Sequence, residues 1–405
     1  MVTGKRSQNP TESPPEAMYA SVPSDSAISM PRPVGGGLTA EISVSAVRQN
    51  LSLLRRLLRP DTKLCAVVKA DCYGHGLETL LDVISEAADQ LAVATAKEAL
   101  QLRGMGCKRP ILMLFSAGAC AGGDVLGELI AHGVTLTVTA LPEVELLAKA
   151  ARRAGAEADV HVKVDTGMGR SGVMPEGAPA LIGQIRREPN VKLTGLYTHL
   201  ACADEADKAS ARRQLQCFER AIAACGGPAG LTLHAANSAA AIDLPESHLA
   251  MIRPGIAVYG YQPSDAMQNV LPFRPAMRLC GRLMQVKNIP AGSRCGYGLT
   301  YTFQRPSRTG LVPVGYADGY LRSLSNKATM RIGGRDVPVR GRISMDQTIV
   351  DLTDLPDARV GDEVEIISPA PAAGHSVENL ARLAGTIPYE ITTRLSRRIR
   401  RVPVE

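Results

Sequence analysis

"KLCAVVKADCYGHG" occupies residues 63–76. Its apolar run, Leu64 to Val68, has the length and content of a buried strand. The run ends in Lys69, and a turn-prone stretch with Gly74 and Gly76 follows. A strand made for a core that delivers an ammonium group at its tip marks that tip as a candidate site. Whether other strands bring their tips to the same place depends on how they are connected.

Outward from this stretch the chain alternates between short apolar runs and segments of helical period. "LTAEISV" (38–44) reads as a strand and "AVRQNLSLLRRLL" (46–58) as an amphipathic helix. Eight further strands are read at 64–69, 91–95, 111–115, 135–139, 159–165, 193–199, 231–235 and 251–260. Segments such as "GLETLLDVISEAA" and "LPEVELLAKAARRA" supply the helices between them. The strands are near-continuously hydrophobic, as parallel strands covered on both faces must be. Eight such units over roughly 220 residues predict a closed (β/α)8 TIM-type barrel rather than an open doubly wound sheet. After about residue 275 the texture changes to short alternating segments between Gly and Pro turns, the pattern of an all-β domain.

The expected organisation is an α/β chain in three parts. Residues 1–36, rich in Pro, Ser and Gly, read as a disordered N-terminal tail. Residues 37–273 form the barrel, although strand 38–44 could instead join the second domain. Residues 274–405 form the C-terminal β domain. The net charge of +7 is modest and aromatics are only 3%, which argues against a nucleic-acid binder with basic and stacking residues interleaved. The one basic run, "RLSRRIRR" (394–401), reads as a solvated surface or an interface edge. The nine cysteines are odd in number and lack a C-x-x-C pair, so neither a disulfide framework nor a structural zinc site is expected. With no long apolar run and no apolar leader region, the expected location is the cytoplasm.

In a parallel barrel the site lies at the C-terminal ends of the strands. Lys69 falls there, as do Lys163 and Asp165, with Arg170 in the following "TGMGR", then His199, Asn237 and Ser238, and finally Arg253, Gly255 and Ile256. Each alone has an ordinary structural reading, such as a snorkelling lysine or a core histidine. Together they suit an anionic cofactor with a carbonyl group. A lysine among other cations in a low-dielectric pocket is depressed in pKa and able to form a Schiff base. Small residues after the last two strands allow close backbone approach to a phosphate. Pyridoxal 5'-phosphate (PLP) has both groups.

"AVVKADCYGHG" closely resembles the PLP-lysine segment of the alanine racemases, enzymes with a barrel followed by a β domain. "VKVDTGMGRSGV" (162–173), "GLYTHLACADE" (195–205), "HAANSAA" (234–240), "IRPGIAVYG" (252–260), "CGYGLTYT" (295–302), "VGYADGY" (314–320), "RISMDQTIVDL" (342–352) and "PYE" (388–390) resemble family segments in the family's order. The resemblance implies a racemase interconverting L- and D-alanine, serving either peptidoglycan-precursor supply or alanine catabolism, with Lys69 carrying PLP. It implies that Tyr73, Ser238, the amides near Gly255 and Ile256, and Tyr389 hold the phosphate. Arg253 would face the pyridine nitrogen, and Arg170 the phenolic oxygen or the substrate carboxylate. Lys163 matches a position often carbamylated in the family. Tyr297 would be the second base with His199 behind it, and Met345, Tyr316 and Asp346 would lie at the substrate site. A head-to-tail homodimer is implied, with no metal, nucleic acid or membrane as partner. A racemase of broader or serine-type specificity is the alternative within the enzymes. A decarboxylase would set a carboxylate, not Arg253, at the pyridine nitrogen. A non-catalytic PLP-homeostasis protein would be a barrel without the β domain.

Overall fold

The computed structural model describes residues 37–120 and 123–405. The expected tail, 1–36, lies outside the described residues. From Gly37 onward the chain forms one compact unit.

The chain enters through strand β1 (Thr39–Ser43) and the helix Val44–Arg56. Eight parallel strands follow: β2 (Lys63–Val67), β3 (Gln90–Val93), β4 (Ile111–Ser116), β5 (Val134–Val138), β6 (Ala158–Lys163), β7 (Val191–Tyr197), β8 (Thr232–His234) and β9 (Met251–Ile252). They pair in sequence order, and β9 returns to pair with β2, so the sheet curls into a nearly closed barrel. The strands are buried on both sides: Leu64, Cys65, Ala66, Leu91, Ala92, Ile111 and Leu112 have no exposed surface. Helices between the strands cover the outside through apolar stripes, such as Val144, Leu147, Ala148 and Ala151 of Leu141–Ala154.

The last barrel strand differs from the sequence expectation. A strand over 251–260 was expected, but only Met251 and Ile252 pair. Pro254 has no N–H to give to a ladder. The N–H of Gly255 donates instead to Ser238 Oγ at 2.8 Å, and a 3-10 turn, Ile256–Tyr259, begins at once. The backbone at the barrel mouth is thereby diverted from sheet pairing.

The C-terminal domain is built on β10 (Met277–Arg282), β11 (Gln285–Ile289), β12 (Arg294–Cys295), β13 (Tyr301–Thr302), β14 (Ser307–Val312), β15 (Thr329–Ile332), β16 (Arg335–Arg340), β17 (Thr348–Asp351), β18 (Glu363–Ile367) and β19 (Arg400–Val404). Its main sheet runs β11-β14-β17-β16-β15-β18-β10-β1-β19. Strand β1 therefore belongs to this sheet, antiparallel to β10 and parallel to β19. Two helices, Val377–Ala384 and Pro388–Thr393, precede β19. No helix among the described residues is long and apolar enough to cross a membrane.

One buried ion pair holds the loops behind the barrel mouth. Lys208 Nζ lies 2.7 Å from Asp243 Oδ2, and neither side chain has exposed surface. The ammonium also donates to the carbonyls of Ala203 (2.8 Å) and Glu205 (2.6 Å). The carboxylate accepts the N–H groups of Gln268 and Asn269. Burial alone would raise the Asp243 carboxyl, but Lys208 and these amide donors together hold it below the usual carboxylate range. Removing one member strands the other charge in the interior. Lys208→Met should cost about 3–5 kcal/mol in urea unfolding, and Lys208→Met with Asp243→Leu should recover part of that loss. A loss under about 1 kcal/mol for the single variant would contradict this role.

Candidate active site

Strand β2 ends at Val67, and its extension is unusual backbone. Ala70, Asp71, Cys72 and Tyr73 have φ of 52, 57, 54 and 53°, a turn of left-handed helix made without glycine. Each such L-residue costs about 1–2 kcal/mol, so the surroundings must enforce the turn. Cys72 N–H donates to Val68 O (3.0 Å), Gly74 N–H to Ala70 O (2.9 Å), and Leu77 N–H to Asp71 Oδ1 (2.7 Å). His75 is buried, and its Nδ1 reaches the carbonyls of Cys72 and Tyr73 at 3.0 and 3.1 Å. Arg401 Nε donates to Gly74 O at 3.1 Å. A Cβ on Gly74 would come within 2.0 Å of Thr392 O, so only glycine lets the helix Pro388–Thr393 seat here. That helix sets the Tyr389 ring 6.1 Å from the Tyr73 ring. On the other side, a Cβ on Gly255 would lie 2.2 Å from Tyr73 Oη. Tyr73, Ser238, Gly255 and Ile256 thus meet at one corner of the mouth, with Tyr389 beside them.

A second group is cationic. Lys163, on β6, pairs in register with Tyr197, which pairs with His234 on β8. The Arg253 guanidinium is buried and sits 5.1 Å over the Tyr197 ring. Its Nη1 lies 2.6 Å from His234 Nδ1, and its Nη2 donates to Thr198 O (2.9 Å) and Ala235 O (3.2 Å) and lies 3.4 Å from His199 Nδ1. An arginine only donates, so His234 Nδ1 must accept and Nε2 must carry the proton. His234 Nε2 then donates to His161 Nδ1 at 2.8 Å. Burial lowers the Lys69 amine, and Arg170 lowers it further while Glu98 opposes. Burial, with Arg170 and Arg253, brings Lys163 down to about 8. Arg170 itself is exposed at the end of a loop whose peptide N–H groups, from Gly167 to Arg170, are gathered by the Asp165 carboxylate at 2.9–3.1 Å.

A third group is on the β domain. Tyr297, Tyr316 and Met345 are exposed by 71, 44 and 54%. Tyr316 N–H donates to Ser344 O and Ala317 N–H to Met345 O, which joins their two turns. Asp346 is exposed and accepts from Arg398 Nη2 at 2.7 Å. Among the described residues, no hydrogen bond or ion pair joins this group to Lys69, Lys163, Arg170, His199 or Arg253 of the same chain. The sequence reading did not single out Glu98, His161, His234 or Arg401. His161 was within reach, because it lies two residues before Lys163 on one strand and so on the same face. The Thr95-x-x-Glu98 spacing marks Glu98 as a helix-capping residue, but its bond to Ala70 and that of Arg401 to Gly74 reach distant backbone and leave no local signal.

The histidines give a pH signature. Burial pushes His161 down to about 3 and His75 to about 4, and it holds His199 and His234, beside Arg253, well below 6.5. Their folded values lie below the unfolded value, so the unfolded chain binds more protons once the pH falls below about 6.5. Stability should therefore be present at pH 7 and decline by about 1 kcal/mol per pH unit for each of these histidines as the pH falls to 5. Urea unfolding across that range measures it; a flat profile would contradict the neutral chain.

Residues 42–263 match the family model for the alanine racemase N-terminal domain, and 276–403 match the C-terminal domain model. Alanine racemase of Desulfovibrio desulfuricans is 41% identical over 382 residues, covering 93% of this chain and 100% of the relative. That of Methanococcus maripaludis is 38% identical, covering 90 and 97%. The solved alanine racemase of Streptomyces lavendulae superposes with a TM-score of 0.85 at 37% identity, covering 92 and 98%. That of Bacillus anthracis, solved with bound L-Ala-P, gives 0.84 at 30% identity, covering 92 and 96%. With both domains matched and the whole mouth described above contained within them, the chain belongs to the alanine racemase family.

Proposed function

We propose that the chain is a PLP-dependent racemase that interconverts L- and D-alanine with two bases, Lys69 and Tyr297. The observation that carries the reading is the barrel mouth itself: a lysine with a lowered proton affinity at the tip of β2, which shares Lys163 and His199 as neighbours with a buried arginine whose donors are fixed. The residues fit PLP. Lys69 would carry its carbonyl carbon as a Schiff base. Ser238, Tyr73, the amides of Gly255 and Ile256, and Tyr389 would hold the phosphate in the corner left free of sheet pairing. Arg253 would face the pyridine nitrogen, and Arg170 would reach the phenolic oxygen or the substrate carboxylate. PLP bound there supplies the electron sink that lets the Cα–H bond of an amino acid break.

The chain's own groups do the rest. Inverting Cα means taking its proton on one face and returning one on the other, which two bases accomplish without turning the substrate. Lys69 Nζ serves one face and Tyr297 Oη the other, with His199 behind the phenol. Arg253 cannot take a proton, so it leaves the pyridine nitrogen neutral and limits side reactions that a stronger sink would favour. Lys163 is suited to carbamylation: an amine titrating near 8 has a neutral fraction that attacks CO2, releasing a proton. The new carboxylate would brace Arg170. Met345 and Tyr316 would line the substrate's side, with Asp346 held by Arg398.

Tyr297 is proposed to serve the barrel of a second copy in a head-to-tail homodimer. Its exposure supports this, together with that of Leu299 and Met345 on the β domain and of Phe115 near the end of β4, Leu141 at the start of the helix Leu141–Ala154 and Met174 in the segment after β6. Such apolar surface is expected to be covered.

Purified chain with PLP should convert L-alanine to D-alanine, followed by chiral chromatography across a panel of L-amino acids. No D-alanine, or a clear preference for serine or a basic amino acid, would overturn the assignment. Lys69→Ala should lose borohydride-fixable PLP, and retention would put the attachment elsewhere. Mixing inactive Lys69→Ala with inactive Tyr297→Ala under subunit exchange should restore about a quarter of wild-type activity, since about half the dimers are hybrid and each has one intact site of two. Hybrids seen by native mass spectrometry without activity would show that both bases act within one chain.

A further inference from the structure

We propose that Glu98 is a positioning residue for Lys69: its carboxylate, fixed by a helix cap on the neighbouring strand, holds the peptide that follows the lysine and supplies the counter-charge to the amine. The inference rests on the Schiff-base role of Lys69.

Glu98 is the third residue of the helix Ala96–Gly104, which begins directly after β3. Thr95 caps that helix, and Glu98 completes a reciprocal capping box with it. Glu98 Oε2 accepts the N–H of Ala94 (2.9 Å), the N–H of Thr95 (3.0 Å) and Thr95 Oγ1 (3.2 Å). An ordinary capping box would leave the second oxygen to water. Here Oε1 accepts the N–H of Ala70 at 2.8 Å. Ala70 is the first residue of the left-handed turn, with φ of 52°. The peptide between Val67 and Val68, one before the one that enters Lys69, is held from the same side, since Val68 N–H donates to Ala92 O of β3 at 2.8 Å. The chain on either side of Lys69 is therefore anchored to β3 and the cap that follows it. That leaves Lys69 little backbone freedom.

The charge matters as well as the bond. The amine feels burial, Arg170 from the loop after β6 and Glu98 from the cap after β3. It also couples to Lys163 on β6 and His199 after β7. Of these groups only Glu98 is an anion. A base that removes a proton has to hold it through the turnover, and among cations alone Lys69 would hold it poorly. Glu98 restores part of that proton affinity while fixing the amine's position.

The test reads Lys69 directly. In full-length chain freed of cofactor, competitive acetylation with mass spectrometry of the Lys69 peptide gives its titration midpoint. Glu98→Gln should lower that midpoint by about half a pH unit or more. Thr95→Val weakens the same helix cap and keeps the carboxylate, so it should leave the midpoint in place. An unchanged midpoint in Glu98→Gln, or an equal shift in both variants, would overturn the proposal. Hydrogen exchange of the wild-type chain needs no variant: the Ala70 amide, although on an exposed residue, should be protected, and protection should fade as Glu98 is protonated. An unprotected Ala70 amide would also overturn it. Should Lys69→Ala retain fixable PLP while these results hold, the Schiff-base reading fails and the anchoring by Glu98 stands.

Discussion

A guanidinium buried at the mouth of a barrel must have its donors met, and much of this site follows from meeting those of Arg253. Two carbonyls, Thr198 O and Ala235 O, lie at the ends of β7 and β8. The remaining partners are imidazole nitrogens of His234 and His199, which can accept only while neutral. Burial first, and the positive charge second, keep them neutral, so the cation and its acceptors support each other. The hydrogen-bond direction passes on to His161, deeper in the barrel. The same charge adds, after burial and Arg170, to the depressed proton affinity of Lys163. One buried cation thus fixes the His234 tautomer and the hydrogen-bond directions around it, and it contributes to the titration of Lys163.

The second constraint is the left-handed turn after Lys69. Four non-glycine residues in that region are strained, and the chain holds them from several directions. Asp71 accepts the first N–H of the next helix, Glu98 holds Ala70 from the neighbouring strand, and Arg401 holds Gly74 from the end of the chain. Arg401 also donates to the carbonyls of Leu395, Ser396 and Ile399, so it ties the C-terminal segment into itself before reaching the loop. The basic run 394–401 is therefore divided. Arg401 is half-buried and structural, whereas Arg398 stays exposed and bridges Asp318 and Asp346 near the exposed tyrosines.

These contacts depend on a chain that leaves the β domain, builds the barrel and comes back. Strand β1 pairs with both β10 and β19, so the first and last described strands lie side by side. Asn50, buried on the first helix, bonds the backbone of Arg274 through both its amide groups, fixing the exit from the barrel against its entrance. That closure brings Tyr389 beside Tyr73, across more than three hundred residues of sequence, and allows the C-terminal helix to rest on Gly74.

The sequence by itself determined the parallel barrel and the domain that follows it. Continuous apolar runs separated by helical segments leave few other ways to bury both strand faces, and period changes are local properties. It also determined which polar residues stand at strand tips, because Lys69, Lys163, His199 and Arg253 each follow or end an apolar run. Tertiary structure alone decided what depends on distant partners. The eighth strand shrank to two residues once Ser238 competed for the Gly255 N–H. The first strand joined the sheet whose partners lie at the other end of the chain. His161 and His234 became one hydrogen-bonded line with Arg253, and Glu98 acquired a backbone donor 28 residues away. A carboxylate or imidazole carries no mark of its partner in the sequence, since the partner's direction and protonation are fixed only when the strands close around it.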